Sequence, residues 1–131
     1  QLIETINLST RIDYASVDCI SQKEEGFHVF EEISFRPSIN FQLNFRVSFF
    51  STPSYNSRIY VYERDVSGVF SNFIAYNRGI HIYLLSKFTI TDKFKLGLKY
   101  SDSLKSEEFS SISLKKSNRN NSLTIQIEAA F

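Results

Sequence analysis

Apolar and polar residues alternate with a period of two in segment after segment of this chain, and helical spacing is hard to find anywhere. Near the C-terminus, Leu123, Ile125, Ile127, Ala129 and Phe131 share one side, while Thr124, Gln126 and Glu128 share the other. Phe94, Leu96, Leu98 and Tyr100 oppose Lys95, Gly97 and Lys99 in the same way. Phe41, Leu43, Phe45, Val47 and Phe49 oppose Gln42, Asn44, Arg46 and Ser48. Residues 6–14, 27–36 and 80–90 repeat the pattern, with Glu31 out of phase. Successive side chains of a strand point to opposite faces, so each segment reads as a strand with one apolar face. Two weaker strands, about 58–64 and 66–76, bring the expected set to about eight. The expected fold class is all-β, in a single domain over residues 1–131.

Turn residues separate these strands. Short connections are expected at 37–40, 64–65 and 91–93, and longer ones at 17–26, 52–57, 77–79 and 101–121. The last is rich in Ser, Asn and charge, and is expected to be a mobile loop. Short and long connections alternate, so an antiparallel up-and-down meander collects the short turns at one end and the long loops at the other. If the sheet crosses a membrane, the short turns and both termini face the periplasm and 101–121 is extracellular.

Period two fits two architectures with opposite interiors. A soluble sandwich or small barrel buries the apolar face, where it binds an apolar ligand, and wets the polar one. A transmembrane barrel gives the apolar face to lipid and the polar face to its lumen. Strand length favours the second, because the segments run to roughly 9–11 residues, the length a tilted strand needs to cross a bilayer. Ordinary strands average about 5–6. The polar faces carry both signs of charge, and the lumen-facing candidates are Arg11, Asp13, Glu32, Arg36, Arg46, Lys95, Lys99 and Glu128. Aromatic residues near strand ends (Tyr14, Phe35, Phe49, Phe50, Tyr60, Tyr100) suit an interfacial girdle, although the chain has no Trp. The final amphipathic strand, with Ile125, Ile127, Ala129 and terminal Phe131 in phase, is similar to the assembly signal of bacterial outer-membrane barrels.

Arg58-Ile-Tyr-Val-Tyr-Glu-Arg-Asp-Val66, then Ala75-Tyr76-Asn-Arg-Gly-Ile-His-Ile-Tyr83 and the Thr91-Asp-Lys turn, carry a more particular likeness. They resemble the closing part of a Bacteroidota outer-membrane barrel family that has helix-hairpin-helix repeats before its barrel. The likeness runs from about residue 5 to the C-terminus and implies location and fold rather than an activity. It leaves two options open, a compact eight-stranded barrel or the last eight strands of a larger one.

Charge is nearly balanced, 15 Lys+Arg against 14 Asp+Glu, so there is no electrostatic case for nucleic acid. One cysteine, Cys19, excludes an internal disulfide. His28 and His81 stand outside metal-ligand spacing and read as polar strand residues, and no motif selects a nucleophile, so neither cofactor nor metal is expected. The expected function is a non-catalytic outer-membrane barrel, porin-like, with a structural, pore-like or complex-scaffolding role. Its expected partners are outer-membrane lipid, the barrel-assembly machinery and other outer-membrane proteins. The alternatives are a soluble binder of an apolar ligand and an outer-membrane enzyme acting on lipid or peptide.

Overall fold

The computed structural model describes residues 5–107 and 116–130. The strands are β1 (Thr5–Asp18), β2 (Lys23–Ser38), β3 (Phe41–Ser51), β4 (Ile59–Glu63), β5 (Ser71–Ala75), β6 (Arg78–Thr91), β7 (Phe94–Glu107) and β8 (Lys116–Ala129). The fold is all-β, antiparallel and up-and-down, as the alternation predicts.

Two of the eight strands stand apart from the rest. The main sheet has the order β1-β2-β3-β6-β7-β8, and β4 pairs only with β5. Residues 52–77 therefore form an insertion between neighbouring strands, and its neck is clasped twice. Thr52 N–H donates to Asn77 O at 2.7 Å, and Asn77 N–H donates to Thr52 Oγ1 at 2.9 Å. Asn77 takes the left-handed backbone (φ 62°) that this clasp requires, a conformation asparagine tolerates better than most residues.

Four connections differ from the expected ones. The longer connection expected at 77–79 is only residues 76–77, because Arg78 and Gly79 already belong to β6. The loop expected at 17–26 is a tight turn, with Cys19 N–H donating to Gln22 O at 2.9 Å. The turn expected at 64–65 is the tip of the inserted hairpin, lying over the sheet's polar face, where Gln126 Nε2 donates to Ser67 O at 2.9 Å. The loop expected over 101–121 is much shorter, because β7 continues to Glu107 and β8 starts at Lys116. Cross-strand contacts support that extension: Ser101 bonds Ser122 at 2.7 Å, and Arg119 pairs with Asp102 at 2.6 Å. Pro37, which cannot donate to a ladder, sits where β2 and β3 slip register between Phe35 and Ser38. Turns 39–40 and 92–93 lie at one end of the sheet, and turn 19–22 and the neck of the insertion at the other.

The hairpin reaches every strand of the main sheet. It meets β1 at Ala15, β2 at Phe30 and Glu32, β3 at Phe50 and Arg46, β6 at His81, β7 at Lys99, and β8 at Gln126. Six strands lie about 4.8 Å apart, so a flat sheet would be far wider than one hairpin. The sheet therefore curls around it. Phe30, Phe50, Ile59, Val61 and Ala75 form an apolar core at the neck end, and Val66, Tyr83 and Leu85 a smaller one near the tip.

Glycine makes room for the hairpin. A Cβ on Gly97 would lie 2.8 Å from Val66 Cγ1, and one on Gly26 would lie 2.6 Å from Thr52 Cγ2. Replacing Gly97 with Ala should cost about 1–3 kcal/mol through overpacking. Adding Val66→Ala should restore part of that loss, measured as urea midpoints of the refolded single and double variants. No restoration would mean that the hairpin does not seat at Gly97.

Candidate functional site

The two faces of the main sheet are inverted relative to a soluble core. Phe45 and Leu84, in central strands, are each 39% exposed, whereas Arg46 is 5% exposed and Tyr83 is fully buried. Ile33, Phe49 and Ile80 share the exposed apolar face, and His28, Glu32, Asn44, Ser48 and Lys99 share the buried polar one. The hairpin, not an apolar layer, covers that polar face.

The buried side carries two ionic nodes. In the first, Glu32 receives Arg46 Nη2 at 2.6 Å, Arg64 Nε at 3.0 Å and the Tyr83 hydroxyl at 2.5 Å. Arg46 also donates to Tyr62 O of the hairpin at 2.8 Å and lies 4.0 Å above the Phe30 ring. In the second, Glu63 of the hairpin meets His81 Nε2 at 2.5 Å and Lys99 Nζ at 3.1 Å, while Lys99 reaches Asp65 at 2.8 Å. Burial pushes the Glu63 carboxyl up, but His81 and Lys99 together outweigh it and hold the group below the usual carboxylate range. Burial likewise opposes ionisation of Asp65, and Lys99 with the Val66 N–H holds it low. Desolvated charges persist only when paired, so these nodes fix the hairpin in one register.

All eight charged residues singled out from the sequence lie on this polar face. Glu32 and Arg46 meet directly, and Lys99 meets the hairpin. Asp13 pairs with Arg11 at 2.7 Å and with His28 at 3.1 Å near the sheet edge. Arg36, Lys95 and Glu128 line a cavity of about 250 Å³ at the 39–40 end. Ile125 and Ile127 are exposed on the apolar face, Ala129 is exposed at its end, and Phe131 lies outside the described residues.

Glu63, Arg64, Asp65, Tyr83 and His81 complete the nodes, and none of them is among the residues singled out from the sequence, where His81 reads only as a polar strand residue. Strand periodicity says nothing about a residue's partner across space, but the charged run Glu63-Arg64-Asp65 at a strand end was a usable signal.

Ser103 Oγ, His81 and Glu63 form a hydrogen-bonded chain, with 2.6 Å from Ser103 to His81 Nδ1. A nucleophile–base–acid sequence works only where a reacting carbonyl can reach the hydroxyl. Ser103 is only 8% exposed, so little of its hydroxyl meets solvent. Phe73 stacks on the His81 ring at 3.9 Å, and Lys99 shares Glu63. These bonds link β6, β7 and the hairpin.

No family model matches this sequence, and neither a curated protein nor a solved structure is significantly similar to it.

Proposed function

We propose that this chain forms an outer-membrane β-barrel wall with a non-catalytic structural, pore-like or complex-scaffolding role, its lumen occupied by the β4–β5 hairpin. The observation that carries this reading is the inverted sheet, with its apolar side chains exposed and its ionised ones buried around the hairpin. Lipid would cover the apolar face, and the polar face would be the lumen wall. In this reading β1 and β8 pair, with each other or with further strands, because hydrocarbon tolerates no bare sheet edge. The bacterial outer membrane, its lipid, its barrel-assembly machinery and other outer-membrane proteins are the proposed location and partners. The Bacteroidota family likeness of residues 58–90 belongs to the same proposal. A binder of apolar ligands would need the Phe-rich faces turned inward, and they lie on the exposed side.

The test is refolding of the chain from urea with and without phospholipid vesicles. Strand circular dichroism and protease resistance should appear only with lipid. A cooperatively folded monomer in plain buffer with no affinity for vesicles would refute the proposal.

A further inference from the structure

Near the tip of the hairpin the side chains offer hydrogen-bond donors in excess. Arg36 Nη2 donates to Gln42 Oε1 at 3.0 Å, and Gln42 Nε2 donates to Asn44 Oδ1 at 2.9 Å. A guanidinium can only donate, so the first bond fixes which end of Gln42 is the oxygen. The second bond then fixes Asn44. What this relay leaves over is Asn44 Nδ2, a donor with no partner in a residue that is fully buried. Buried donors are met by an acceptor in folded proteins, and here the described residues supply none.

Asn44 lines a cavity of about 330 Å³ together with Arg36, Arg64, Asp65, Ser67 and Lys87. Asp65 is engaged by Lys99, and Arg64 by Glu32. Among the described residues, Arg36 and Lys87 meet no carboxylate within ion-pair distance. Two cations that meet no carboxylate, a third shared with Glu32, and an unanswered amide thus line a space whose one carboxylate among the described residues is taken. The donors come from β2, β3, β6 and the hairpin, so an occupant must accept bonds from several directions at once. A tetrahedral oxyanion does this better than a planar carboxylate.

We infer that this cavity, between the hairpin tip and the polar face of the sheet, binds a phosphate group held by Arg36, Lys87, Arg64 and Asn44. It opens on the face opposite the apolar one, so the ligand is a soluble phosphate rather than a lipid headgroup. The donor arrangement is the same whichever medium surrounds the sheet, so this site and the lipid reading fail independently.

The experiment is a titration of the chain, refolded in a maltoside detergent free of phosphate, with inorganic phosphate followed by phosphorus NMR. Saturable binding is expected. Arg36→Gln and Lys87→Gln should each weaken it about tenfold, the scale of one charge-assisted hydrogen bond. Asn44→Asp, which replaces the orphan donor by an acceptor of the same shape, should abolish it, and Lys23→Gln at the opposite end should leave it unchanged. Absence of saturable binding to the wild-type protein, meaning that water meets these donors, would overturn the inference. So would unchanged affinity in Arg36→Gln and Lys87→Gln, whose side chains are not needed for the buried nodes. Displacement of bound phosphate by added phosphatidylglycerol bicelles would overturn the choice of a soluble ligand.

Discussion

Replacing Leu84 with arginine should lower the unfolding free energy in a bilayer by about 2–4 kcal/mol, the cost of a cation near the membrane midplane. Leu84 lies midway along β6, opposite Phe45 of β3 and Tyr100 of β7, on the exposed apolar face. Leu84→Ala should cost far less than arginine, because lipid fills the space that a packed core would leave as a cavity. If water covered this face instead, the arginine change would stay within roughly ±0.5 kcal/mol, as for other surface substitutions. The measurement is urea unfolding in vesicles of both variants. A small effect from arginine, or equal losses from arginine and alanine, would count against lipid on this face.

The second large effect is expected from the opposite face. Glu32→Ala should destabilise the protein by about 3–5 kcal/mol, the usual consequence of leaving one partner of a buried ion pair alone. Arg46 would keep the Tyr62 carbonyl and the Phe30 ring but no counter-charge, and the Tyr83 hydroxyl would lose its acceptor. Arg64, half-exposed, can turn to water and should contribute little to the loss. Adding Arg46→Met in the Glu32→Ala background should recover much of the stability, because the uncompensated charge goes with it. Equilibrium unfolding of the single and double variants decides the matter: a loss under about 1 kcal/mol for Glu32→Ala would show that the node does not hold the hairpin.

Much of this arrangement is legible in the sequence because a strand reports its faces at every second residue. Phe45, Val47 and Phe49 on one side of β3, and Asn44, Arg46 and Ser48 on the other, are assigned correctly to opposite faces by alternation alone. Partnership is a different matter. Ile59, Val61 and Glu63 alternate with Tyr60 and Tyr62 just as main-sheet residues do, and nothing in that rhythm says that β4 leaves the ladder. The missed clue was length: five residues in β4 and in β5 against eleven or more in every strand of the sheet. Gly26 and Gly97, both on the polar face, were a second clue, since a bare position facing inward marks where another backbone approaches. The stretch 101–121 misled through composition. Its serines and asparagines suggest a loop, yet a regular ladder with side-chain pairs such as Asp102–Arg119 satisfies them as a strand.

The position of the insertion also constrains the order in which the chain can assemble. β1–β3 and β6–β8 are each joined internally by connections of two to eight residues, so either meander can form from local contacts. Joining them through β3 and β6 means closing residues 52–77, and relative to a four-residue turn that closure costs roughly 1.5–2 kcal/mol more in chain entropy. A preformed β4–β5 hairpin reduces the cost, because its own ladder has already brought the neck together. The hairpin is thus placed to template the register of the two meanders, and their meeting across it is the expected slow step of folding.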